Sequence, residues 1–285
     1  MTQPLDPALQ MGAVHLKVSS LDRSIAFYRE VVGLEVLRQT AGVAELAAER
    51  GKEPLVVLEE LPDAEVLPRR RTAGLYHYAI LVPDRKALGQ ALRRLVDAGI
   101  HIGQSDHWVS EALYIADPDN NGIEIYCDRP RETWQWKDGL VQMGRDPIDW
   151  EGLLELAGSE PAPLMPEGTK MGHVHLHVSE IGPAKRFYTE VIGLDVVAAI
   201  EDHAVFMSVG GYHHHLAINM WAGVGAPPAP ERATGLRYYT FALPDREAVD
   251  AVLVRLQAAG LPVEERDGAW IVQDPSRNTL RLVTA

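Results

Sequence analysis

The chain repeats itself. Residues 11–37, MGAVHLKVSSLDRSIAFYREVVGLEVL, lie over residues 171–197, MGHVHLHVSEIGPAKRFYTEVIGLDVV, with 14 identities in 27 positions and no gap. The halves are duplicates offset by 160 residues, so whatever one copy folds into must be built twice. A second match runs through each half. LYHYAILVPDRKALGQALRRLVDAG from Leu75 answers LRYYTFALPDREAVDAVLVRLQAAG from Leu236, and DPDNNGIEIY from Asp117 answers DPSRNTLRLV from Asp274. Each half therefore holds two units, four in all.

Every unit has the same plan: a short alternating strand, an amphipathic helix, then further strands. In the first, Val14, Leu16 and Val18 share one strand face, and a helix from about Asp22 to Val32 stops at Gly33. In the second, the strand Leu75 to Val82 leads to a helix capped by Asp84, striped by Leu88, Leu92 and Leu95, and ended by Gly99. The expected fold is α+β, with four βαβββ units forming two tandem domains, each a cupped, mostly antiparallel sheet with helices outside. The boundaries fall at 1–130, 131–168 and 169–285. The middle segment is a connector rich in Pro and Gly, but it carries Trp134, Trp136 and Trp150. Three indoles loose in solvent would be an adhesive liability, so the arm is expected to pack down and bury them.

Composition narrows the function classes. A chain of 285 residues has room for two cores, and 46% hydrophobic content is enough to fill them. A formal charge of −13 would repel a phosphate backbone, so no nucleic acid partner is expected. The lone Cys127 allows neither an intrachain disulfide nor a cysteine zinc cluster. No apolar run is long enough for a bilayer, and MTQPLDPALQMG lacks the basic start and apolar stretch of a secretion signal. A cytoplasmic location without membrane contact is the expectation, and a homo-oligomer is compatible with it.

Strand alternation then picks out polar residues in costly places. If the helix covers Val14, Leu16 and Val18, His15 looks into whatever the sheet encloses. His77 separates likewise from Tyr76 and Tyr78, and Glu124 from Ile123 and Ile125. A carboxylate flanked by isoleucines needs a partner. Two histidines and one carboxylate form the facial triad that holds Fe(II) and leaves coordination positions open, so His15, His77 and Glu124 are the expected metal ligands. Fe(II) is the first choice for that divalent metal, and Mn, Zn or Ni suit the same atoms. The repeat acts as an internal control: His15 is matched by His175, but His77 by Tyr238 and Glu124 by Arg281. One active copy and one reshaped copy are expected. A rival site would join His175 to the run His213 to His215, where alternation puts His213 and His215 on one face; otherwise these residues form a polar wall.

VHLKVSSLDRSIAFYREVVGLEV, SDHWVSEALYIADPDNNGIEIYCDRPRE and GYHHHLAINMW resemble the vicinal oxygen chelate superfamily of glyoxalases, bleomycin-resistance proteins and extradiol dioxygenases. Nearly the whole chain takes part, and the likeness is greatest to two-domain catechol 2,3-dioxygenase-like proteins. The resemblance implies His ligands on the first strands of two units and a Glu on the last strand of the second, matching His15, His77 and Glu124. It also implies an active-site tyrosine ten residues before the Glu, where Tyr114 stands. Members usually carry iron in the second half, and a catalytic His on the last strand of the odd unit. LVVLEE has none there, GYHHH in the other half does, and His107 is the candidate substitute as acid or base. The implied function is Fe(II)-dependent extradiol cleavage of a small aromatic diol by O2. The rivals are a glyoxalase-like lyase or isomerase, taking a fourth ligand from Glu59 or Glu60, and a binding protein without turnover.

Overall fold

The computed structural model describes residues 4–160 and 162–285. The first unit contains β1 (Gln10–Val18), α1 (Leu21–Phe27), β2 (Glu35–Thr40), β3 (Val43–Ala47) and β4 (Val56–Glu60). The second contains β5 (Gly74–Leu81), α2 (Arg85–Asp97), β6 (Gly103–Asp106), β7 (Ser110–Ala116) and β8 (Gly122–Asp128). The connector adds a two-stranded ribbon, β9 (Trp136–Lys137) and β10 (Leu140–Val141), and α3 (Trp150–Ala157). The third unit is β11 (Lys170–His177), α4 (Ile181–Arg186), β12 (Asp195–Ile200), β13 (Ala204–Ser208) and β14 (Leu216–Asn219). The fourth is β15 (Gly235–Leu243), α5 (Arg246–Ala258), β16 (Glu264–Arg266), β17 (Ala269–Gln273) and β18 (Thr279–Thr284).

Local chemistry explains the elements. The Asp84 and Asp245 carboxylates accept from the backbone N–H groups of Ala87 and Ala248, capping α2 and α5. The helix expected from Asp22 to Val32 ends its α portion at Phe27 and widens into a π turn over Tyr28–Val32, closed by Gly33 at φ 87°. The Arg94 guanidinium donates to the carbonyls of Val31 and Val32, which the widened turn leaves free, and Arg255 does the same for Val191 and Ile192 in the third unit.

The strands form two eight-stranded sheets, ordered β16-β17-β18-β15-β1-β4-β3-β2 and β12-β13-β14-β11-β5-β8-β7-β6. The first and last units thus share one sheet, and the second and third share the other. The central pairs β1·β15 and β5·β11 are antiparallel, and each unit's first strand runs parallel to its own last strand. All four first strands are edges in need of a partner, and their near-identical sequences do not say which pairs with which. The tandem copies are therefore continuous in sequence while each sheet draws one unit from each half. Helices and apolar faces enclose the main core, in which Tyr28, Tyr78, Tyr188 and Tyr239 are fully buried.

The connector packs down but buries its indoles unequally. Trp134 is buried, Trp150 is half-buried, and Trp136 is exposed. Its helix α3 lies on α2 at Gly89, where any Cβ would collide with the Leu153 carbonyl.

Candidate metal centre

Three neighbouring strands, β8, β5 and β11, place three residues in one row: Glu124 is level with Ala79, and Ala79 with His173. Cross-strand partners share a sheet face. The two outer backbones stand roughly 10 Å apart, two strand spacings. A long carboxylate and an imidazole close that gap because the residue between them is only an alanine. His77 precedes Ala79 by two positions on the same strand and so shares its face.

The result is a convergent group. His77 Nε2 lies 3.0 Å and His173 Nε2 3.2 Å from Glu124 Oε2, and one ligand atom from each residue lies within 4.8 Å of the others. All three side chains are buried. His77 Nε2 is near Glu124 yet makes no aligned hydrogen bond, leaving a buried nitrogen uncommitted. Burial pushes His173 down to about 4, beyond what Glu124 restores, so its imidazole is neutral at pH 7 as ligation requires. Burial alone would raise the Glu124 carboxyl, but attraction to His173 and its hydrogen bond, with the nearby His77 ring adding to them, outweigh it and hold the group well below its usual range. Two histidines with an uncommitted nitrogen and one carboxylate are a donor set that fits a divalent metal.

His15, the expected third ligand, is not brought to this group. It lies on β1 in the other sheet, its Nε2 2.9 Å from Glu59 Oε2 and its ring edge-on to Tyr238 at 4.7 Å. The cause is strand pairing: β5 takes β11 as neighbour rather than β1. His173 stands in the third place, so the group draws on both halves, not on the first alone. The signal for it was the alternation His173, His175, His177 on one strand. The repeat pointed instead to His175, the counterpart of His15, which lies opposite His77 and accepts from Asn219 Nδ2 at 2.8 Å. In the other sheet the repeat puts Ala13, Tyr238 and Arg281 at the three positions, with Thr240 level with Arg281 in place of Ala79.

Tyr114 lies directly across from Glu124 on β7, and its hydroxyl is 2.7 Å from His107 Nε2. His107 Nδ1 lies 2.9 Å from the Gly144 carbonyl. A carbonyl only accepts, so in the neutral ring Nδ1 holds the proton and Nε2 accepts from the tyrosine. Burial, reinforced by Glu124, pushes the Tyr114 phenol well above its ordinary range.

The run His213 to His215 departs from strand alternation because it lies in a turn before β14. His213 and His214 both line the cavity beside the metal group. His213 Nε2 lies 2.9 Å from Asp128 Oδ1, and His213 Nδ1 lies 2.9 Å from His214 Nδ1. With Nε2–H donated to the carboxylate, His213 Nδ1 accepts from His214 Nδ1–H, and His214 Nε2 keeps a lone pair. The His214 ring packs against His173 with the centroids 4.0 Å apart and the planes tilted by 47°. His215 instead meets the Ser208 hydroxyl at 3.0 Å, so His175 and this run form a hydrogen-bonded wall rather than a second ligand group.

The cavity measures about 710 Å³, within the range of small-molecule sites. Tyr76, Phe206, Ile200 and Trp221 give it apolar walls, and residues 140–145 of the connector form one side. Ala79→Leu should keep the strand but push Glu124 and His173 apart, lowering metal stoichiometry severalfold at a stability cost of about 1–3 kcal/mol. Metal analysis beside a melting curve checks it, and full metal content in this variant would contradict the row geometry.

The Glyoxalase/Bleomycin resistance protein/Dioxygenase superfamily model matches residues 10–125 and 170–282, and the chain belongs to that superfamily. A relative from Bacillus subtilis (strain 168), named catechol-2,3-dioxygenase, is 52% identical over 267 residues, covering 93% of each chain. Among solved structures, the cppA protein from Streptococcus pneumoniae TIGR4 matches with a TM-score of 0.60 at 13% identity, over 97% of this chain and 100% of that one. Glyoxalase I from Zea mays matches with a TM-score of 0.56 at 17% identity, over 97% of this chain and 92% of that one. At these identities the structures establish the shared fold. Among the described residues no helix is long and apolar enough to cross a membrane.

Proposed function

We propose that the protein is an Fe(II)-dependent extradiol dioxygenase that cleaves a catechol-like ring with O2. The observation that carries this reading is the convergence of His77, Glu124 and His173 beside Tyr114 in a cavity of about 710 Å³. The 52% identical relative named for catechol cleavage supports it. His77, Glu124 and His173 would hold the divalent metal, which would supply the chemistry of binding the diol and O2 together.

The chain's own groups supply the rest. Neutral His214, its pKa pulled well below the ordinary value by burial, offers the Nε2 lone pair to a diol proton, and the His213–Asp128 pair fixes its tautomer. Tyr114 spends its proton on His107 and presents its oxygen to the substrate. Both His107 nitrogens are committed, to Gly144 and Tyr114, so His107 acts by positioning Tyr114. The apolar walls exclude water around the ring. The glyoxalase-like alternative needed a ligand from Glu59 or Glu60, but these lie on β4 in the other sheet, where Glu59 pairs with His15 and Arg237.

The direct test is protein purified without air, analysed for metal and then supplied with Fe(II), O2 and several catechols. Oxygen uptake with a yellow ring-opened product is expected, and its absence from iron-loaded protein across the panel would defeat the dioxygenase reading. Tyr114→Phe removes one hydroxyl; kcat should fall roughly 10²-fold or more, as loss of a positioned proton-handling group does. Iron content and melting temperature should stay unchanged. Unaltered turnover would reduce Tyr114 to a packing role.

A further inference from the structure

A second cavity lies where the ends of β1, β5, β11 and β15 meet, and its lining is basic. Lys17, Arg69, Arg70, Arg71 and Arg277 all line it, and among the described residues none of the five has a carboxylate within 4.0 Å. In a chain of net charge −13, five unpaired cations in one place oppose the overall bias. The acids at this cavity do not cancel them. Asp119 is taken by Arg23 and Ser19, leaving Glu231, whose backbone carbonyl rather than its carboxylate receives the Lys17 ammonium. Glu231 and Glu59 act on Lys17 only from a distance, and no carboxylate among the described residues forms an ion pair with any of the five, so the cleft keeps an excess of positive charge.

We propose that this cleft binds a compact oxyanion, a phosphate or a carboxylate. Its volume, about 260 Å³, is ample for such a group, and the selection is made by the basic lining rather than by size. Guanidinium forks are matched to planar or tetrahedral oxyanions, each fork donating two parallel hydrogen bonds to the oxyanion. Arg70 lines both this cleft and the metal cavity, and its guanidinium lies 5.7 Å from the Tyr76 ring that walls the latter. The oxyanion thus has two possible sources: a free anion, or an acidic substituent on the diol. The second source rests on the dioxygenase reading.

The experiment has two arms, each run on the full chain and on the Arg71→Gln/Arg277→Gln double variant, which leaves the metal cavity untouched. In the first, inorganic phosphate is titrated by calorimetry at low ionic strength. Saturable binding, weakened at least tenfold in the variant, places a free anion in the cleft. In the second, kcat/KM is compared for catechol and 3,4-dihydroxybenzoate. An advantage for the carboxylated diol that the variant loses, with catechol turnover unchanged, identifies the substituent as the anion. If phosphate binding is absent or equal in both proteins, and the two diols are affected alike, the proposal is overturned. Should no diol be turned over, the dioxygenase reading fails and the phosphate arm alone judges the cleft.

Discussion

His173→Ala is expected to strip the protein of its metal, while His15→Ala leaves metal content unchanged. Loss of a single ligand should weaken binding on the order of a hundredfold or more, since even the outer hydrogen-bond partners of metal ligands are each worth 10–100-fold. His173 Nε2 stands 3.2 Å from the Glu124 oxygen that also faces His77, so its removal leaves one imidazole and one carboxylate to hold the ion. His15 has no such place. It pairs with Glu59 in the other sheet, and Arg237 takes the same carboxylate at 2.8 Å. Glu124→Gln should mimic His173→Ala, because it removes the anion of the group. Melting curves accompany both, separating lost ligation from lost fold. A His15→Ala protein without metal beside a fully loaded His173→Ala protein would overturn the assignment.

Much of this architecture could be read from residue order, and the part that could not has one cause. The duplication, the helix caps at Asp84 and Asp245, and the cup-facing parity of His77 and Glu124 are local or periodic properties. A strand's alternation says which face a side chain occupies, and Glu124 between two isoleucines announced a buried charge. Which first strands become neighbours is a long-range choice among four similar edges, and no local pattern encodes it. Pairing β1 with β5 would have brought His15 to His77; the observed pairing of β5 with β11 brings His173. Even with the right partner, the register shift between Met171 and His173 makes the level of each histidine hard to count from sequence. The parity assigned to His213 and His215 failed for a different reason, since alternation holds only in extended strands and these residues turn.

Acidification should destabilise the protein steeply, and two histidines outside the metal group account for much of the slope. Burial pushes His177 down to about 4, against the opposing hydrogen bond to Asn219 at 2.7 Å, and pushes His215 down to about 3, with His213 adding to it. An unfolded histidine takes up its proton near pH 6.5. Between that value and the folded pKa, the unfolded chain binds more protons than the native one, so stability rises with pH there and is lost as pH falls. Below about pH 4 for His177 and about pH 3 for His215 both states are protonated and the slope flattens. Each residue should cost on the order of 3 kcal/mol between pH 7 and 4, a slope near 1.4 kcal/mol per pH unit per proton. Asp117, raised to about 6 by burial, works against them, because its folded form holds a proton that the unfolded chain has released. The wild-type curve alone therefore mixes opposing groups, and the informative quantity is its difference from a His177→Gln/His215→Gln variant. Denaturant melts from pH 7 to 4 should show the variant's slope smaller by about 2–3 kcal/mol per pH unit. Parallel curves would mean that the two rings remain hydrated enough in the native state to titrate as they do in the unfolded chain.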